Sequence, residues 1–149
     1  MMIDAGVWIS AFLADDPHHK VSRACLDGWH LAGGGITVPC HFAVEVAATI
    51  ARRTGDAALA ETAVLAITSG RDFNVENVEF NMVLSAGTLA AQLGLSTSEA
   101  LYAGMAYQWG ATLLTWDDSF IARASPKIKI RHPSLIDRPR SNLVTAGLS

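Results

Sequence analysis

The sequence predicts an α/β fold, a mostly parallel sheet with helices on both faces. Three observations predict it. Short apolar runs alternate with helical stretches long enough to serve as crossovers between parallel strands. Half of the 149 residues are apolar and only 17% are charged, a balance that supplies one sizeable core. No internal repeat, low-complexity run or Pro- or Ser-rich linker divides the chain, so residues 1–149 read as one domain with an aperiodic tail, IDRPRSNLVTAGLS, from residue 136.

Taken in order, residues 2–4 form a short apolar strand ending in an acid, and Val7 to Leu13 continues with helical spacing of Trp8 and Phe12. Asp16-Pro17 breaks that helix. A second runs from His19 to Leu31, with Val21, Cys25, Leu26 and Trp29 on one face, until Gly33-Gly34-Gly35 stops it. Ile36 to Val38 is a β-branched strand closed by Pro39. Residues 40–53 form the next helix, whose terminal Arg52-Arg53 complements the dipole before a turn at Thr54-Gly55. Asp56 caps a helix over 57–68, and Asp72 to Phe80 alternates as a strand with its flanking loop. Asn81 is the expected cap of a helix through Leu93, Gly94 ends it, and Ser96 starts another that runs to Trp109-Gly110. Ala111 to Thr115 reads as a buried strand, Asp118 to Ala124 as a short helix, and Lys127 to Ile130 as a last strand before Pro133.

Charge and cysteine content exclude several classes. A net charge of −3 offers no global basic field for nucleic acid or an anionic membrane, so a polyanion must be met locally. Cys25 and Cys40 lack CxxC or Cys/His spacing, which argues against a zinc site or a disulfide scaffold and for a reducing cytoplasm. The opening MMIDAGVWISAFLADD carries Asp4 and has no basic n-region, and no apolar run reaches the roughly 18 residues of a membrane span. No Ser/His/Asp elbow occurs, and the glycine triplet lacks the Lys-Ser/Thr of a phosphate loop.

The chemistry is carried by acids. In a parallel sheet ligands gather at the carboxyl ends of the strands, and two inferred strands lead directly into Asp4 and into Asp117 of TWD. Glu45 and Glu99 interrupt otherwise apolar helices near their N-terminal ends. A like-charge pair at about 4 Å costs about 4 kcal/mol at an effective dielectric of about 20, so four gathered carboxylates call for a counter-charge. Hard oxygen donors select Mg²⁺ or Mn²⁺, and a partly hydrated ion of that kind binds phosphate oxygens and activates water for phosphodiester hydrolysis.

MIDAGVWISAFL, the Glu45 helix, SEALYAGMA and LLTWDDSF are similar, in order and spacing, to the acidic motifs of PIN-domain nucleases, particularly VapC-type toxins. The resemblance covers roughly residues 2–132. It implies a three-layer α/β/α sandwich and a Mg²⁺- or Mn²⁺-dependent endoribonuclease acting on RNA. It also implies a tendency to homodimerise and a small antitoxin partner. Asp4, Glu45, Glu99 and Asp117 match the family's acids, and Thr115 matches a hydroxyl position beside the last. Arg52 and Arg53 are candidate contacts to substrate phosphate, as are Arg123, Lys127, Lys129 and Arg131.

The family's third acid is usually Asp, whereas this chain has Glu99-Ala100-Leu101-Tyr102. The added methylene disturbs the near-octahedral geometry Mg²⁺ demands. Glu99→Asp is accordingly expected to bind Mg²⁺ more tightly than the native protein; tighter binding by the native chain in calorimetry refutes this.

Structural readings stand beside each of these. Asp4 is also a favoured helix cap, Glu45 also fits a polar face with Thr49 and Arg52 or Arg53, and Ser96-Thr97-Ser98-Glu99 is a capping box. The alternation of Lys127, Lys129 and Arg131 also protects an edge strand, and Trp8, Trp109 and Trp116 suit packing more than base stacking. The rival function is a PIN-like domain that no longer cuts and acts by binding RNA or a protein. A haloacid dehalogenase phosphatase also carries Asp after its first strand, but needs a second Asp where this chain has Gly6.

Overall fold

The computed structural model describes residues 1–70 and 73–135. Five strands, β1 (Met2–Ile3), β2 (Ile36–Pro39), β3 (Phe73–Glu76), β4 (Leu113–Leu114) and β5 (Ile130–Arg131), form one sheet in the order β3-β2-β1-β4-β5. Every pairing is parallel, with Met2 beside Thr37 on one side and Leu113 on the other. The chain thus moves outward from β1 in one direction through β2 and β3, then returns to β1's other side for β4. That reversal is the switch point at which ligands settle in open α/β sheets.

Among the described residues seven helices cover the sheet: α1 (Ala5–Phe12), α2 (His19–Leu31), α3 (Phe42–Thr54), α4 (Ala57–Thr68), α5 (Phe80–Leu93), α6 (Thr97–Trp109) and α7 (Asp118–Ala124). Their apolar faces make two cores. One joins α1 to α4 around Val7, Phe42, Val46, Ile50 and Ala63; the other joins α5 to α7 around Met82, Tyr102, Met105, Phe120 and Ile130. The strands show why. Successive side chains alternate faces, so Ile3 and Leu114 enter the first core while Met2 and Leu113 enter the second, all fully buried. The α/β/α layering follows from two-sided burial of strands only two residues long.

The helices end where backbone chemistry stops them. Asp56 accepts from the Leu59 amide at 2.9 Å and caps α4, while Gly94 and Gly110 take the left-handed conformation that closes α5 and α6. Gly104 lets α5 and α6 approach closely: a Cβ there would lie 3.2 Å from that of Ala86, a contact tighter than usual.

The observed elements correct three sequence boundaries. α5 begins at Phe80 after Glu79 rather than after Asn81, because the Val83 amide already bonds the Glu79 carbonyl at 3.0 Å. Both Lys127 and Ile128 bond back to the Ala124 carbonyl, so the last strand starts later than Lys127 and extends to Arg131. β4 is confined to Leu113–Leu114 within the expected 111–115. Asp72 and the tail from residue 136 lie outside the described residues. Cys25 and Cys40 are free thiols.

Candidate active site

The carboxyl ends of β1 and β4 place Asp4 and Thr115 side by side. The fully buried Thr115 hydroxyl donates to Asp4 Oδ2 at 2.7 Å and accepts the Asp117 amide at 3.1 Å, so one hydroxyl links both acids. Asp4 occupies the N-cap position of α1, where the Gly6 and Ala5 amides pull its pKa down although neither makes a regular capping bond. Burial pushes its carboxyl up to about 6; the Thr115 bond opposes that and the charge of Glu45 adds to it. Asp117 caps α7, accepting from the Phe120 amide at 2.8 Å.

Glu45 enters from the first turn of α3, which follows β2. Its Oε1 accepts a short bond from the Ser98 hydroxyl and its Oε2 accepts from the Tyr102 hydroxyl at 3.0 Å. Ser98 and Tyr102 lie one turn apart on α6 and so present one face. His41 completes this side: its Nε2 is 3.7 Å from Glu45 Oε2 and its ring meets Tyr102 edge-on. Its Nδ1 is buried without a partner, and burial holds its pKa below the usual value against the pull of Glu45. The Tyr102 phenol is driven far up, first by burial and then by Glu45 and Asp4, so it remains a proton donor.

Glu99 is engaged differently. Its Oε2 accepts from the Ser96 amide at 2.7 Å, completing the capping box, and both its oxygens accept from Arg123, at 2.6 and 3.1 Å. Burial pulls its carboxyl up, but the Arg123 and Ser96 bonds outweigh that and hold it below the usual range. Geometry therefore joins Asp4, Thr115 and Asp117 by hydrogen bonds and sets Glu45 near Asp4 electrostatically, while Glu99 faces Arg123. Among the described residues no three His, Cys, Asp or Glu side chains stand close enough together to hold an ion.

A PIN domain family model matches residues 1–125. The chain belongs to the PIN domain family. Two solved structures share its fold. VapC20 of Mycobacterium tuberculosis, a toxin that cleaves the sarcin-ricin loop, superposes with a TM-score of 0.71 at 19% identity, over 87% of this chain and 98% of that one. VapBC2 of Rickettsia felis, bound to a fragment of promoter DNA, gives 0.68 at 14% identity, over 88% and 96%. No curated protein matches the sequence.

The basic residues of this PIN domain are mostly committed. Arg53 pairs with Asp16 at 2.7 Å, Arg52 donates to Thr49 at 3.0 Å, and Arg123 is held by Glu99, Gly94 and Ser119. Lys127, Lys129 and Arg131 point outward at the sheet edge formed by β5, while Ile128 and Ile130 point in. Trp8 packs on Phe42 and Phe73, and Trp116 stacks on His18 at 3.9 Å; Trp109 is partly exposed.

Reading acids alone missed Ser98, Tyr102 and His41. The signal was present as spacing: Ser98 with Tyr102, and His41 with Glu45, are both i, i+4 pairs, so each pair shares a helix face.

Proposed function

We propose that this PIN domain is a divalent-metal-dependent endoribonuclease of the VapC toxin kind, with Asp4, Glu45, Glu99 and Asp117 as the acids that serve Mg²⁺ or Mn²⁺. One observation carries the reading. At the switch point of the sheet, a carboxyl group is buried beside a second carboxylate and driven up to about 6, a surplus of negative charge on oxygen donors only. All-oxygen donors of that charge are the chemistry a hard dication prefers. When bound, such an ion polarises a phosphodiester and supplies an activated water.

The chain's own residues do the positioning. Thr115 orients Asp4 and fixes the turn that carries Asp117. Ser98 and Tyr102 hold both oxygens of Glu45, and the Tyr102 phenol keeps its proton while doing so. Arg52 and Arg53, at the far end of α3, would meet substrate phosphate only by leaving Thr49 and Asp16.

VapBC2 supports a small antitoxin as partner by analogy. An exposed apolar strip on α3 and α4, with Val44 and Leu65 each about 70% exposed, supports a homodimer. No described helix is long and apolar enough to cross a membrane, and the free thiols suit a reducing cytoplasm.

A second reading, a PIN domain that binds without cutting, is favoured by the engagement of Glu99 with Arg123. Incubation with structured and single-stranded RNA separates the two. The nuclease reading expects shortening with Mn²⁺ that EDTA stops; a mobility shift without shortening under both conditions refutes it in favour of the second.

A further inference from the structure

We propose that Arg123 is a latch on Glu99: it holds the third acid away from the metal pocket, and the dication must displace it to recruit that acid. This rests on the nuclease reading above. All three guanidinium nitrogens are occupied. Nη2 donates to Glu99 Oε1 at 2.6 Å, Nη1 to Glu99 Oε2 at 3.1 Å and to the Gly94 carbonyl at 2.5 Å, and Nε to the Ser119 carbonyl at 3.2 Å. A guanidinium so bound has little left to offer a phosphate, which sets aside Arg123 as a substrate contact. What it does instead is tie α7 to the loop before α6 and to Glu99 at the head of α6.

The latch depends on the residue being Glu. A capping box needs the carboxylate to reach back over three residues to the Ser96 amide, and the longer side chain does so while turning both oxygens to the planar fork. Arginine does not lose its proton in proteins, so alkaline pH does not open the latch; a competing cation or a movement of α7 does. Arg123 is thus a positioning residue, and its side chain sets how many acids the dication meets on arrival.

The test is Mn²⁺ binding by calorimetry to the apoprotein, on the native chain, Arg123→Gln, Glu99→Gln and the double variant, with melting curves to show that each folds. A half-buried ion pair still in reach of solvent competes only modestly, so Arg123→Gln is expected to bind Mn²⁺ about threefold more tightly than the native chain. In the Glu99→Gln background, where no carboxylate is held, Arg123→Gln is expected to gain nothing. The proposal is overturned if Arg123→Gln binds no more tightly than the native chain. A gain that survives in the Glu99→Gln background also overturns it, since Arg123 then acts only as a nearby charge. If Arg123→Gln does not fold, Arg123→Lys keeps the charge and loses the fork; tighter binding is again expected, and unchanged binding sinks the latch. Asp4→Asn in the same series tests the site separately: Mn²⁺ binding that ignores Asp4 refutes the nuclease reading whatever Arg123 does.

Discussion

Asp4→Asn is expected to lower metal-dependent RNA cleavage by about a hundredfold or more while raising the melting temperature of the apoprotein. The two effects share one cause. Desolvation and the charge of Glu45 penalise the ionised Asp4 carboxylate, which is why its pKa rises from 3.8 to about 6 despite the Thr115 bond. Asparagine keeps an oxygen to accept from Thr115 but carries no charge to desolvate, and none to attract a dication.

Linkage fixes the sign. Folding of the native apoprotein favours the protonated form, so the associated stability is fully present below the unfolded value of 3.8 and is lost as pH rises through about 6. At pH 8 the buried charge costs on the order of 2 to 3 kcal/mol, which the Asn variant does not suffer. The variant's advantage in EDTA should therefore be present at pH 8, shrink through pH 6 and vanish near pH 4. Urea titrations at those three pH values measure it. An Asn variant that melts below the native protein at pH 8 refutes the buried charge, and one that still cuts RNA refutes Asp4 as a metal ligand.

Much of this site was legible as sequence because its positions follow from elementary periodicities. Two-residue strands with both faces buried read as apolar pairs, and the residues directly after them, Asp4 and Thr115, must then emerge at the same end of a parallel sheet. α4 was legible to the residue because Asp56 caps it and no competing signal interrupts its run to Thr68. Glu45 was visible as a charge in an apolar helix, but not its partners, because Ser98 and Tyr102 arrive from a helix more than fifty residues away. The same holds for Glu99. Its capping box is local and could be read, whereas Arg123 lies 24 residues downstream on another helix, and only packing of α7 against α6 decides whether the carboxylate faces a guanidinium or an ion. β5 was misplaced for a similar reason: the alternation of Lys127 to Arg131 is genuine, but the first two residues spend their amides on the end of α7.

Thr115→Val is expected to be the most damaging conservative change at the site, costing about 2 to 4 kcal/mol of stability and most of the activity. Valine matches threonine in shape and suits a strand end, so neither packing nor propensity opposes it. What it removes is a hydroxyl with no exposed surface that makes two bonds at once, giving its proton to Asp4 Oδ2 and taking one from the Asp117 amide. Without it, a buried carboxylate already strained by desolvation loses a donor, and a main-chain amide at the start of α7 loses its acceptor. Each unsatisfied group carries its own penalty, and the charged one is the larger. Thr115→Ser keeps both bonds and loses only a methyl group, so it should stay within about 1 kcal/mol of the native protein and keep its activity. Urea denaturation of the three proteins in EDTA isolates the stability effect, and RNA cleavage in Mn²⁺ reads the consequence for Asp4. If valine is tolerated as well as serine, the hydroxyl does not join the two acids, and Asp4 and Asp117 must be held by their helices alone.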